Sequence, residues 1–350
     1  MTSPRRTVVP LAVLALLLSG CGWLTTGEER SRPDPTLTPR AIDATGPDGT
    51  ATGEPSLARF YDQKLTWKKC RDVDECATLS VPLDYAEPDG RTIELSLLRV
   101  PAKDRKGRVG SLVVNPGGPG GSGIDYAASG ASSFGSEVLA SFDVVGFDPR
   151  GVGRSTPLKC EDTKALDTLI ASDPDPDTPA ETRYSDRLLT RLGAGCLRES
   201  GALVRHMSTV EVAKDVDVLR AALGDRRLSY FGASYGTFIG ATYAQLFPRR
   251  VGRMVLDGAL DPSISTVELS LVHAKGFEVA LRAYVGACVD RGRCFLGSTV
   301  DAATQRIRRF LDSVEEKPLP GIGSRKLEVG NAMLGVWLPL YSKSYWPILD

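Results

Sequence analysis

The sequence predicts an α/β fold in which a mostly parallel sheet is flanked by helices, and three observations predict it. Short apolar runs bounded by turn residues recur at 111–115, 142–147, 228–231 and 253–256, the length and pattern of buried parallel strands. Helical periodicity lies between them, and a strand, a crossover and a second strand imply a right-handed βαβ unit. The run at 228–231 leads directly into Gly232-Ala233-Ser234-Tyr235-Gly236 and then into a second helical pattern.

Composition sets the outer bounds. The chain has 350 residues, 42% hydrophobic and 25% charged, which suits a globular protein with ample apolar material for a core. Lys+Arg and Asp+Glu each total 43. A formally neutral chain has no field of one sign that points to nucleic acid or to an anionic membrane surface. A small-molecule or peptide ligand is expected.

At the start, Arg5 and Arg6 precede an apolar run from Val8 to Leu18. The run is too short for a transmembrane span of about 20 residues and reads as a secretory signal. It ends in Leu18-Ser19-Gly20-Cys21, which resembles a bacterial lipobox. That resemblance implies cleavage after a signal peptide at 1–20, a lipid on Cys21, and an exported protein anchored to the cell membrane or released outside it. Residues 21–58 are rich in Pro, Gly, Thr and Asp without apolar periodicity. Such a composition cannot bury enough surface to offset ordering entropy, so a flexible tether is expected.

Seven cysteines would leave an odd thiol in an oxidising compartment. With Cys21 assigned to lipid, six remain, and the close spacing of Cys70 with Cys76 and of Cys288 with Cys294 favours two local bridges, leaving Cys160 with Cys196. There is no C-x-x-C pair and there are two histidines, so a metal site is not expected, nor is a cofactor.

The body, 59–262, opens with β-rich runs at 79–85 and 92–100 around Pro88-Asp89-Gly90, a hairpin turn signal. The regular pattern breaks from Thr156, and 157–205 reads as a surface insertion carrying Cys160 and Cys196. Order resumes at Ser208, where S-T-V-E forms a capping box. Val212, Val216, Leu219 and Leu223 then mark one helical face, and Gly224 stops it.

The G-x-S-x-G segment lies between a strand and a helix, the setting that a nucleophile elbow needs. Its serine would stand on a strained turn above the sheet, with glycines two residues either side to avoid the neighbouring strand and helix. The following helix, 237–247, carries Gly240, Ala241 and Ala244 for close packing on the sheet. A second element, Asn115-Pro116-Gly117-Gly118-Pro119-Gly120-Gly121-Ser122-Gly123, can bring backbone N–H groups to a ligand without side-chain obstruction. No Lys-Ser/Thr pair follows it, which excludes a phosphate loop, and its prolines break the spacing of a dinucleotide loop. The N–H groups of Gly118 and Tyr235 are the expected donors to an oxyanion.

With F-D-V-V-G-F-D-P-R-G-V-G-R-S at 142–155 and Y-F-G-A-S-Y-G-T-F-I-G at 230–240, the glycine loop resembles those of the proline iminopeptidase and tripeptidyl aminopeptidase group of α/β-hydrolases, with Asn115 in place of that group's His. The resemblance implies the α/β-hydrolase fold and a serine nucleophile, Ser234, that releases short N-terminal fragments of a peptide through an acyl-enzyme. It also implies a helical cap, begun at 263–350. Asp148 and Arg150 are expected to shape a strand-end turn rather than to act in catalysis.

In this fold the acid and then the histidine follow the serine. His206 precedes Ser234, and His273 lies inside a helical pattern at 266–285. Asp257 or Asp261 with His273 is therefore a poor acid–base pair. The expectation is that the last strands, with the family's Asp and His, are missing from the sequence. An esterase of the same fold and a non-catalytic surface lipoprotein on the same scaffold are the alternatives.

Overall fold

The structure, a computed structural model, describes residues 54–71, 73–130 and 134–350. Cys21, the signal-peptide reading and nearly all of the tether lie outside the described residues. The described body begins with a short turn at Pro55–Leu57 and helix α1 (Ala58–Tyr61). Leu57, Phe60 and Tyr61 are buried in the main core, so packing begins slightly ahead of the position 59 read from sequence.

Seven strands form one sheet in the order β1-β2-β3-β5-β4-β6-β7. Strand β2 (Asp74–Pro82) pairs antiparallel with β3 (Thr92–Val100), with Leu79 opposite Leu95 and Val81 opposite Ile93. These alternate residues point into the core and are buried, as the period of two requires. The connection closes where Gly90 N–H donates to the Glu87 carbonyl, 2.9 Å. Edge strand β1 (Lys68–Arg71) pairs antiparallel with β2; its four residues are all exposed, so no apolar pattern marks it in the sequence.

The remaining strands, β4 (Gly110–Asn115), β5 (Phe142–Phe147), β6 (Leu228–Ala233) and β7 (Val251–Asp257), run parallel to one another. β4 and β5 are joined by α2 (Gly123–Ala128) and α3 (Ser136–Ser141). β7 is the outer strand, and Val255 on it is 56% exposed.

The insertion is not irregular: it folds into α4 (Thr163–Ala171) and α5 (Pro179–Ser200). Its polar faces hide the helical signal, because α5 buries only Gly195. The Thr178 capping box starts α5, and Cys160–Cys196 ties the last turns of that helix back to the start of the insertion, ahead of α4. The other bridges are Cys70–Cys76 and Cys288–Cys294. Helix α6 (Thr209–Ala222) begins at the Ser208–Glu211 capping box and is followed by Gly224 at φ +80°. After β6, helix α7 (Tyr235–Leu246) covers the sheet. Helices α8 (Thr266–Asp290) and α9 (Val300–Glu316), a small β8–β9 ribbon (Leu319–Pro320 and Lys326–Leu327) and α10 (Val329–Trp337) complete the chain's described secondary structure, apart from 3₁₀ turns. They hold a small core of their own around Tyr284, Val285, Ala303 and Leu340. Gly330 of α10 lies against the Ile170 carbonyl of α4, which seats these helices on the insertion. Among the described residues no helix is long and apolar enough to cross a membrane.

Helix α6 buries more than its apolar stripe. Asp215 and Asp217 are fully enclosed, and two residues along a helix turn them about 200° apart, toward opposite neighbours. Asp215 accepts both arms of the Arg150 guanidinium, 2.8 and 2.7 Å, and the Tyr85 hydroxyl, 2.8 Å. Asp217 accepts Tyr61 at 2.6 Å, Tyr243 at 2.9 Å and Arg220 at 2.8 Å, and it also meets Arg250. The sequence pattern shows none of this, because charged residues on a helix read as a solvated face.

Replacing Asp217 by Ala strands buried guanidinium groups, so a loss of about 3–5 kcal/mol is expected in a denaturant melt. The phenols give a pH dependence. Burial, reinforced by the adjacent carboxylates, holds Tyr61, Tyr85 and Tyr243 well above the ordinary tyrosine range, and burial does the same for Tyr230. A raised folded-state pKa gives stability that is complete below the unfolded value of about 10 and is lost as pH rises beyond it. These four of the ten tyrosines should ionise only together with unfolding, as a cooperative step in a phenolate absorbance titration.

Candidate active site

Ser234 occupies the corner between β6 and α7 at φ +52°, ψ −124°, a region that residues with a side chain rarely adopt. Its side chain is exposed. Three contacts hold the corner. The Ser234 N–H donates to the Asp257 carbonyl at the end of β7, 2.9 Å. The Ser234 carbonyl accepts from Thr237 N, 2.8 Å, and from Thr237 Oγ1, 2.6 Å. Thr237 Oγ1 in turn accepts the Leu260 N–H, 2.9 Å. Thr237 is 1% exposed, and one buried hydroxyl therefore locks the elbow to the segment after β7. Sequence reading overlooked it; a hydroxyl in a helix's first turn was the available signal.

The flanking glycines are forced by distance. A Cβ on Gly232 would lie 2.4 Å from the Gly236 carbonyl oxygen, and one on Gly236 would lie 2.6 Å from the Asn115 carbonyl oxygen. The corner can therefore close only without side chains at both places.

The proline–glycine loop meets this corner. Asn115, 1% exposed, accepts the Gly117 N–H on its side-chain oxygen, 2.9 Å, which turns the chain at the end of β4. Gly117, at φ +87°, is flush with the elbow: a Cβ there would come 2.5 Å from the Ala233 carbonyl oxygen and 2.7 Å from Tyr235 N. Tyr235 begins α7, so its N–H is one of the donors a helix leaves without an internal partner, and among the described residues no hydrogen bond occupies it. Gly118 follows at φ +115° and its Cβ position is filled by Gly120 N and Gly121 N, 2.8 and 2.9 Å. The far end is fixed where Ser122 Oγ donates to Asp148, 2.6 Å. Tyr235's hydroxyl bonds Thr209 Oγ1, 2.6 Å, and its ring stands edge-on to Phe238.

Asp148 and Arg150 shape the loop after β5, as expected. Asp148 accepts Arg154 N at 2.9 Å and Ile124 N at 3.3 Å. Arg150 adds bonds to the carbonyls of Leu83, His206 and Pro82.

The histidines do not join the serine. His206 Nδ1 sits 3.1 Å from Glu211 Oε1 at the start of α6. His273 is exposed on α8, beside a cavity of about 460 Å³ that it lines with Phe277 and Trp337. Neither is hydrogen-bonded to Ser234 among the described residues. Asp261 is engaged by Ser263, whose N–H and hydroxyl it accepts at 2.8 and 2.6 Å. Asp257 lies exposed at the β7 end; burial, with a smaller contribution from the Asp257 charge, pushes the Tyr126 hydroxyl above its ordinary range. Asp84, His206 and Glu211 bring potential metal-ligating atoms within 4.8 Å of one another. The Arg150 guanidinium, 3.8 Å from Glu211, already supplies positive charge there.

The Thr237 bridge is testable. Thr237→Val removes both bonds of the hydroxyl and should cost about 1–3 kcal/mol, whereas Thr237→Ser should retain most of that stability; denaturant melts of the two variants separate the bridge from simple packing.

Comparison with known proteins places this geometry. Residues 110–337 match the family described as alpha/beta hydrolase fold. The chain is 35% identical to the serine protease Hip1 of Mycobacterium tuberculosis (strain ATCC 25618 / H37Rv) over 96% of its own length and 63% of that protein's. It is 43% identical to a tripeptidyl aminopeptidase of Streptomyces lividans over 59% of its length and 40% of that protein's. It is also 36% identical to a protein named carboxylesterase B of Mycobacterium tuberculosis (strain ATCC 25618 / H37Rv), over 86% and 59%. The chain thus spans less than two thirds of the length of these relatives. The matched segment contains the elbow, the glycine loop and the four parallel strands between which they lie, and the chain belongs to the alpha/beta hydrolase fold family.

Proposed function

We propose that this protein is an exported serine hydrolase, tethered through a lipid on Cys21, that cleaves short peptides from free N-termini with Ser234 as nucleophile. One observation carries the chemistry. An exposed serine stands at a strained strand–helix corner, and directly beside it lies an unoccupied Tyr235 N–H against the Gly117–Gly118 turn. Attack of Oγ on a carbonyl would place negative charge on the carbonyl oxygen, and the Tyr235 and Gly118 N–H groups are the proposed donors to it. Fixed donors of this kind need no reorganisation as the charge develops. Peptide as the substrate follows from the relatives named serine protease and tripeptidyl aminopeptidase.

A serine is a weak nucleophile without a positioned base, and neither His206 nor His273 takes that position. Modification of Ser234 is therefore expected to proceed without help from either of these two histidines. The relative named carboxylesterase B supports a second reading, an esterase on the same elbow, because the elbow does not choose the leaving group.

A fluorophosphonate probe followed by peptide mapping should find the label on Ser234, none in Ser234→Ala, and an unchanged rate in His206→Ala and His273→Ala. Release of coumarin from a tripeptide with a free but not an acetylated N-terminus identifies the peptidase; equal release from both, or from simple esters alone, identifies the esterase. A cooperatively melting protein without label on Ser234 would leave a non-catalytic scaffold.

A further inference from the structure

Asn115, at the end of β4, is 1% exposed and buries its side-chain nitrogen without a hydrogen-bond partner among the described residues. Its side-chain oxygen accepts the Gly117 N–H, 2.9 Å. The amide cannot turn over to relieve the nitrogen, because its NH₂ group would then face the Gly117 donor. A buried donor left unpaired costs at least as much as one ordinary hydrogen bond returns. The amide therefore adds no stability that an apolar side chain of the same shape would lack. What it adds is a fixed acceptor for Gly117.

This acceptor stands between the two arms of the corner. In the parallel pairing of β4 with β6, Asn115 lies opposite Gly232. Its Oδ1 is 3.0 Å from the place that a Cβ on Gly236 would occupy, in the first turn of α7. The same Oδ1 holds Gly117, whose own Cβ position lies 2.7 Å from Tyr235 N. One side chain thus borders both the loop that carries the Gly118 N–H and the helix that carries the Tyr235 N–H.

The loop has few other restraints. Gly118, Pro119 and Gly120 are exposed, and glycine has more backbone freedom to lose than any other residue, so the turn depends on its ends. The Gly121 N–H closes it on the Gly117 carbonyl, 3.0 Å, and Ser122 on Asp148 fixes the far end. Asn115 fixes the near end.

We infer that Asn115 is the positioning residue of the oxyanion site: its side-chain oxygen sets the Gly117 turn, and with it the direction of the Gly118 N–H relative to the Tyr235 N–H. The oxyanion role of those two groups rests on the serine hydrolase reading; the hold of Asn115 on Gly117 does not. Enclosed as it is, Asn115 acts through Gly117 and not on the substrate.

The test uses the full chain with Asn115→Leu, which keeps the branching of the side chain and removes its acceptor, and with Asn115→Asp, which keeps an acceptor and adds charge. Denaturant melts establish that each variant folds; if Asn115→Leu does not, Asn115→Ala takes its place. Exchange of the Gly117 N–H, followed by mass spectrometry with fragmentation, should quicken about threefold to tenfold in Asn115→Leu and stay slow in Asn115→Asp. Fluorophosphonate labelling of Ser234 should slow about tenfold or more in Asn115→Leu, a share of the ~10²–10³ that loss of one oxyanion donor costs. In Asn115→Asp the labelling rate, relative to that of the unmodified chain, should fall as pH rises through the titration of the introduced carboxyl. An ionised carboxylate there opposes the negative charge that develops on the substrate oxygen, and packing alone produces no such pH step. Unchanged Gly117 exchange in Asn115→Leu overturns the hold on the turn. Unchanged labelling beside faster exchange overturns the positioning role, as does a labelling ratio in Asn115→Asp that does not change with pH. If Ser234 is not labelled in the unmodified chain, the hydrolase reading fails, and the exchange result still decides whether Asn115 holds Gly117.

Discussion

The two buried carboxylates of α6 hold the parts of this molecule in register. Asp217 gathers Tyr61 from α1, Tyr243 from α7 and Arg250 from the turn before β7. Asp215 gathers Tyr85 from the segment after β2 and Arg150 from the loop after β5. Burying a carboxylate is costly unless charge and hydrogen bonds compensate it, and here each carboxylate has several partners from distant parts of the chain. The helix that follows the Ser234 corner and the loop that borders the glycine turn are thus fixed to one central element.

The corner itself is a steric solution. β4, β6 and β7 are parallel, so their carboxyl ends share one side of the sheet, and the chain must reverse into α7 without striking Asn115 or its own helix. Glycines at 232 and 236 admit the reversal, and the strained Ser234 backbone is held by the Asp257 carbonyl and the Thr237 hydroxyl. The Gly117 turn lies so near that a Cβ there would fall 2.5 Å from the Ala233 carbonyl oxygen. Beside the serine lies the Tyr235 N–H, and a side chain at Gly117 would not fit there.

Much of this was legible in the sequence. The strands at 92–100 and 142–147 stand within the read limits, those at 111–115, 228–231 and 253–256 gain one, two and three residues, and the run read at 79–85 instead forms β2 at 74–82. The Ser208 capping box is present, the two close-spaced cysteine pairs are bridged, and the remaining two, Cys160 and Cys196, join each other. β1 was not legible because all its residues face solvent, and the two insertion helices were not because they bury almost nothing. In each case the signal that sequence reading uses, apolar periodicity, is absent because the element has no core to face.

The sequence by itself determined the parallel sheet, the elbow and the glycine loop, since each is written in local terms: apolar runs of strand length, and glycines where a side chain cannot fit. Only the tertiary structure decided the partners of Asp215 and Asp217, the Leu260 end of the Thr237 bridge, and the separation of both histidines from Ser234. The contacts among them join residues far apart in the chain, as where Tyr61 meets Asp217 at 2.6 Å and Leu260 meets Thr237 at 2.9 Å. Hydrogen bonds and ion pairs of that range are set by how elements pack, and no local pattern encodes them.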